Sequence, residues 1–335
     1  MSGRGAYLGR KVGWALVTLF VVVTFNFFLF RILPGDPARS IAKDPRLSPE
    51  TVAALTVRFG LDKPLLVNTE GGNPLDSQYF AYLGSLSRGD LGQSYAFRDR
   101  PVAEMLGVAL VNTLWLVVPA QILSIVFGIV LGLLAAWRRG TPLDVTALTF
   151  SLFMWSLPTF FLGIVLLFAG ASWFDLPTAG RVTIGATYGS LWEELADLGR
   201  HLLMPTLAFT LVLLGEYMLI MRSSVLDVFS EDYILTAKAK GLSTLRIVRD
   251  HALRNAMLPM VTLIAINLGF TVSGAIQIES VFSWPGLGGL TVDAVRERDY
   301  PVLQGAFLLL AVSVVVANLI AELIYGWLDP RVSEA

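Results

Sequence analysis

Six apolar runs divide this chain, at about 13–33, 108–136, 144–172, 202–221, 259–280 and 302–327. Each is roughly the length needed to cross the hydrocarbon core of a bilayer. In lipid a spanning backbone must satisfy its own hydrogen bonds, so runs of this kind fold as helices. Composition agrees, because 55% of the 335 residues are hydrophobic, only 15% are charged and the mean hydropathy is +0.66, outside the range of soluble domains. The expectation is an all-α polytopic membrane protein with six transmembrane helices. A signal peptide in place of the first run would be shorter and followed by small residues at a cleavage site. Here Arg31 and the turn Leu33-Pro34-Gly35-Asp36-Pro37 follow instead.

Charge orients the runs. Arg4, Arg10 and Lys11 precede the first, Trp137-Arg138-Arg139 ends the second, and Arg222, Lys238, Lys240, Arg246, Arg249 and Arg254 follow the fourth. Cationic residues concentrate on the cytoplasmic side, so both termini and the loop at 222–258 are expected there. The polar segments 34–104 and 173–201 then lie outside, the second carrying Trp173, Trp192, Glu193, Glu194 and Asp197. The first of them reads as a small helical subdomain. Ser48-Pro49-Glu50 starts a helix with Val52, Leu55 and Phe59 on one face and Gly60 at its end. A second helix from Ser77 carries Tyr79, Phe80, Leu83 and Leu86, and the turn-rich Asn68–Asp76 between the two reads as an insertion. The chain thus divides into 1–33 (cytoplasmic start and first span), 34–104, a core of five spans over 105–330, and a tail at 331–335.

The most distinctive stretch is polar, residues 231–262. Tyr233 to Ala239 has helix-forming composition, and Gly241 stands where a left-handed residue ends a helix. Ser243 can cap a second helix in which Leu245, Val248, Ala252 and Ala256 repeat at helical spacing. The expectation is helix, glycine turn, helix: a compact cytoplasmic knob suited to docking. Within the runs, Asn112, Pro158, Asn267, Ser273, Gln277 and Glu279 are candidates to line a passage or to bond neighbouring helices. Pro158 is expected to bend the third span. Glu216, about one and a half turns from the cytoplasmic end of the fourth, is an ionisable group at membrane depth, which either serves function, faces the protein interior or reaches the nearby interface. Trp284-Pro285-Gly286 must turn at the outer end of the fifth, with the tryptophan suited to the membrane interface.

Several chemistries are excluded. Without cysteine there is no disulfide, thiolate metal site or cysteine nucleophile, and His201 and His251 fall in separate polar loops. No phosphate-binding loop, H-E-x-x-H or G-x-S-x-G occurs, and no basic stripe interleaved with aromatics suggests nucleic acid. Energy for uphill transport would have to come from a partner or a coupled ion.

The order Glu231-Asp232-Tyr233, Thr236-Ala237-Lys238-Ala239-Lys240-Gly241-Leu242, then His251-Ala252-Leu253-Arg254-Asn255-Ala256 and Leu258-Pro259 resembles the EAA loop of binding-protein-dependent ABC importers. It looks most like the permeases of the dipeptide, oligopeptide and nickel group. Leu33–Pro37, Arg88-Gly89-Asp90-Leu91-Gly92, Glu279–Gly288 and Leu328-Asp329-Pro330-Arg331 carry the resemblance along nearly the whole chain. It implies a bacterial inner-membrane permease subunit with no ATP site of its own. ATP and Mg²⁺ would reside on two cytoplasmic ATPase subunits, beside a second related permease and an extracytoplasmic solute-binding protein. By the same resemblance Gly241 is the turn, Ala237 and Ala239 are small for close approach, and Arg249, His251, Arg254 and Asn255 border the ATPase contact. Peptide is the substrate the group suggests, with nickel chelate, glutathione or oligosaccharide as alternatives. An ion-coupled secondary transporter is the contrasting class, expected to carry several intramembrane carboxylates and repeated halves. A membrane scaffold or intramembrane enzyme is a third, and it leaves the knob unexplained.

Overall fold

A computed structural model describes residues 2–32, 62–69, 73–97 and 100–328, with positions 50, 53, 56 and 57. The Leu33–Pro37 turn, the core of the expected 48–60 helix, and Asp329 onward lie outside the described residues. Those described form helices joined by turns and no strand; Gln93 and Pro101 make an isolated bridge.

Helix α1 (Ser2–Ile32) is the first apolar run. Toward its Ile32 end sits α2 (Gln78–Leu86), begun by the Ser77 side chain accepting from the Phe80 amide. Tyr79 of α2 is buried against Phe27, and its hydroxyl meets Thr24 Oγ1 at 2.8 Å. Beside α2, Lys63 donates to Asp76 at 2.6 Å and the Gln78 amide to the Pro64 carbonyl.

Helix α3 (Val102–Trp137) and helix α6 (Leu191–Phe229), of 36 and 39 residues, are both longer than the runs within them. They pack along their length through small residues. A Cβ on Gly132 would lie 2.6 Å from the Met218 carbonyl and 2.8 Å from Met221 Cβ, and one on Gly128 would collide with Tyr217. Without a hydrophobic drive between helices in lipid, such close backbone approach supplies the contact that holds them.

The third run is not one bent helix. Helix α4 (Pro142–Ser156) and helix α5 (Thr159–Phe174) meet at 103°. Leu157 is extended, with φ −75° and ψ 134°, because the ring of a following proline disfavours the helical region. Pro158 therefore stands at a break, on the N-cap of α5, and not inside a continuous span. Asp144 of α4 is buried. It accepts from Arg222 Nε at 2.6 Å and NH2 at 2.9 Å, and from the Gly140 amide at 2.9 Å, joining α4 to α6.

After α6 come the short α7 (Asp232–Ala239) and α8 (Thr244–Ile247), a π turn over Val248–Ala252, and α9 (Leu253–Gly274). Pro259, expected to begin the fifth span, lies within α9. Helix α10 (Ile276–Val281), α11 (Leu287–Glu297) and α12 (Tyr300–Leu328) complete the chain. Helix α12 packs on α1 and α9. At its start the buried Asp299 accepts from the Ser94 hydroxyl and from the amides of Tyr95 and Ala96, pinning the segment after Arg88–Gly92 onto the bundle. Among the described residues four helices are long and apolar enough to cross a membrane, and the α4–α5 pair makes a fifth if counted as one broken span.

Replacing Gly132 by isoleucine should force α3 off α6 at a cost of about 1–3 kcal/mol. Gly107 lies in the same helix, where an added Cβ meets nothing within 4 Å. Thermal unfolding in detergent should show a lowered midpoint for Gly132→Ile and little change for Gly107→Ile; equal midpoints would mean the seam carries no stability.

Candidate functional site: the polar knob and the turn at Trp284

The knob is built around a small core of its own. Ile234, Ala237 and Ile247 are buried together, with Val228 and Phe229 of α6 and Leu242 packed against them. The turn after α7 is made by main-chain bonds. The Gly241 amide donates to Lys238 O at 2.9 Å and the Leu242 amide to Ala237 O at 3.3 Å, the paired bonds of a Schellman ending. Gly241 has φ +76°, the left-handed region expected of it, and nothing lies within 4 Å of where its Cβ would be. A side chain there meets backbone strain and no steric clash.

The sequence-predicted residues scatter over the knob in a definite way. Tyr233 and Asn255 are brought together, the Asn255 amide donating to the Tyr233 hydroxyl at 2.7 Å and to the His251 carbonyl at 3.1 Å. Ala237 fills the small core, whereas Glu231, Asp232, Lys238, Ala239, Arg249 and Arg254 are exposed and His251 is half-buried. Arg249 donates to Asp250 at 2.7 Å, and this bond holds the Asp250 carboxyl below the usual carboxylate range.

The buried face of the second helix differs from the expected repeat. Val248, Ala252 and Ala256 are buried, but Leu245 is 63% exposed and Ile247 takes its place in the core. The π turn at Val248–Ala252 explains the slip, because it adds a residue to one turn and rotates everything before it relative to α9. Leu245 thus joins Leu235, 57% exposed, and Tyr233 as apolar surface on a basic knob. Strict periodicity missed this pair.

At the opposite end of the bundle, the Glu279–Gly288 signature folds on its own carboxylate. Glu279 is buried. Its Oε1 accepts from Thr113 Oγ1 at 2.5 Å and its Oε2 from the Gly289 amide at 3.0 Å, while the Leu287 amide donates to Thr113 Oγ1 at 2.8 Å. The carboxylate thereby caps the first turn of α11, where free amides and the helix dipole favour negative charge. A Cβ on Gly286 would strike the Glu279 carboxylate, so this position excludes a side chain. Trp284 is buried: its indole N–H donates to the Asn112 carbonyl at 2.8 Å, a bond that a pocket for the whole ring makes possible. Asn112 also donates to Pro285 O and accepts from Arg181 NH1, each at 2.8 Å. Beside these groups opens a cavity of about 590 Å³, lined in part by Arg100, Asp293 and Arg296.

Of the passage candidates, Asn112 and Glu279 therefore meet around the turn at Trp284, while Asn267 lies elsewhere, donating to Glu216 Oε2 at 3.0 Å. Glu216 sits well inside α6, which runs on unbroken to Phe229, so it lies farther from the helix end than the apolar run suggested. Gln277 is exposed, and the Ser273 side chain lies outside the described residues. No group of three metal-ligating side chains occurs among the described residues.

Two expectations follow. Gly241→Val should strain the turn by about 1–2 kcal/mol and speed amide exchange across the knob, and Gly241→Asn should do so less; identical exchange in both variants would remove the turn from the knob's stability. Glu279→Leu should leave the Gly289 amide and Thr113 hydroxyl unpaired, at about 1–3 kcal/mol each, and lower the unfolding midpoint more than Glu279→Gln.

Comparison with known proteins places this geometry. Residues 128–334 match the family described as "Binding-protein-dependent transport system inner membrane component", and residues 6–117 match the N-terminal region of such membrane components. The chain is 34% identical to the di/tripeptide transport system permease protein of Pseudomonas aeruginosa over 98% of both chains. It is 36% identical to the dipeptide transport system permease protein of Escherichia coli K12, over 97% of this chain and 98% of that one. It is also 35% identical to the glutathione transport system permease protein of an Escherichia coli O6:H1 strain, over 97% and 98%. Among solved structures, an inward-facing conformation of the MetNI methionine ABC transporter shares the fold, with TM-score 0.55 and 16% identity over 67% of this chain and 96% of that one. With its helical bundle, its knob and these matches taken together, the chain belongs to the inner-membrane components of binding-protein-dependent transport systems.

Proposed function

We propose that this chain is the permease subunit forming half of the translocation pathway of an ATP-driven peptide importer. Its relatives transport dipeptides, tripeptides and glutathione by name, and that shared class is the basis for peptide here. In this reading α1, α3, the α4–α5 pair, α6, α9 and α12 are six spans of a bacterial inner-membrane protein with both termini in the cytoplasm. A second related permease completes the pathway, with Asn112, Pro158, Asn267, Ser273, Gln277 and Glu279 along or near it. A solute-binding protein docks on the outer segment 34–104 and the turn at Trp284. Two cytoplasmic ATPase subunits, which hold ATP and Mg²⁺, receive the knob; the chain itself is a transport subunit and performs no hydrolysis.

The observation that carries the coupling role is the continuity of knob and span. Val228 and Phe229 of α6 are part of the knob's core, so a displacement of the knob is a displacement of α6. Its surface exposes Tyr233, Leu235 and Leu245 together with Lys238, Lys240, Arg246 and Arg249. Exposed apolar area among charges supports a protein partner. Glu231, Asp232, Ala239, His251, Arg254 and Asn255 border it, and Ala237 keeps it compact.

The test is purification from membranes followed by ATPase assay with the binding protein and a peptide mixture. An ATPase and a second permease should accompany the chain, and peptide-loaded binding protein should raise hydrolysis. Gly241→Val should abolish that stimulation while leaving assembly intact. A chain that purifies alone and moves solute along an ion gradient would overturn the reading.

A further inference from the structure

Glu216 is a carboxylate at membrane depth that the coupling reading does not use. It lies on a face of α6, with Val212, Leu219 and Ser223, that the rest of the chain leaves part-exposed. Its Oε2 accepts from the Asn267 amide of α9, and the same amide nitrogen reaches the Tyr217 hydroxyl at 3.3 Å. From α3 the Gln121 amide donates to that hydroxyl as well. Three helices therefore bring polar side chains to one level of an otherwise apolar bundle.

What this level lacks among the described residues is a positive charge. Their ion pairs include none to Glu216. The next basic residue along α6, Arg222, is committed to Asp144 by two hydrogen bonds. A carboxylate in the span of a membrane protein calls for a counter-charge, and such groups mark the route of a charged solute. The Asn267 contact orients the carboxylate and uses one of its several acceptor positions.

We propose that Glu216, positioned by Asn267, is a subsite that receives the ammonium group of a peptide during its passage. The inference rests on the peptide-importer reading and adds to it a chemical selectivity inside the span. An ammonium suits the site because it brings one positive charge and three donors to an acceptor-only group. A structural role predicts something different: glutamine at this position still offers an oxygen to Asn267 and would keep the helices in place.

The experiment uses the complete importer, this permease with its partner permease and ATPase subunits, in nanodiscs. Saturation-transfer NMR reads contact with a free-amine dipeptide and with its N-acetylated form, without the binding protein, so that protein's own selectivity does not enter. The wild type should contact the free-amine peptide, and Glu216→Gln should weaken that contact about tenfold, the size of one lost charge-assisted bond, with the weak acetylated signal unchanged. In proteoliposomes with the binding protein added, the same variant should move fewer peptides per ATP while stimulated hydrolysis persists. Equal contact by wild type and Glu216→Gln, or equal loss for both peptides, would overturn the ammonium subsite. Absence of any ATP-driven peptide uptake by the wild type would instead overturn the importer reading on which it rests.

Discussion

The close approach of α3 and α6 is the constraint on which the rest of the bundle depends. Lipid offers no hydrophobic reward for bringing two apolar helices together, so contact must come from fit. Gly128 and Gly132 let the backbones approach until α3 lies on Tyr217, Met218 and Met221. On the same stretch of α6, Gly215 leaves room for the Ser151 carbonyl of α4, 2.5 Å from where a Cβ would stand. One helix is thus grooved on two sides, and α3, α4 and α9 are arranged around it. The pair of Asp144 and Arg222 then fixes the knob-side end of that arrangement with a bidentate bond between groups that are largely withdrawn from solvent.

The two ends of the bundle solve the same problem by different chemistry. At one end, where the chain must reverse, buried charge does the capping: Glu279 serves the amides of α11, and Asp299 those after Ser94. Each carboxylate replaces water that a buried helix start or turn could not otherwise reach. At the other, the knob uses main-chain bonds and a handful of aliphatic side chains, and leaves its charges on the surface.

How much of this was legible in the sequence depends on whether the signal was local. Ser77 before an amphipathic run, Gly241 after one, and four of the six apolar stretches read correctly, because caps, left-handed turns and spanning length are decided within a few residues. Leu157-Pro158 was read as a bend, although the steric effect of proline on its predecessor was sufficient for a 103° break. The knob's second helix was read with a constant period, and nothing local announces a π turn, so Leu245 was assigned to the wrong face. The burial of Trp284 was not legible for a different reason: its partner, the carbonyl of Asn112, lies some 170 residues away in sequence. The pairings of Glu279 with Thr113 and of Glu216 with Asn267 are likewise tertiary, and only the unusual presence of polar groups in apolar runs pointed to them.

Helix α6 has one further geometric property. It runs from Leu191 to the knob as a single element of 39 residues, about 58 Å at the rise of an α-helix. The end away from the knob is tied down by Arg200 donating to the Asp175 carbonyl and by Asp197 accepting from Thr183 and Tyr188. A rod of that length is a lever: with that end held, a tilt of about ten degrees displaces the knob end by about 10 Å. Pro205 removes one hydrogen bond from the ladder of this helix, so a bend there can absorb part of such a tilt before it reaches the held end.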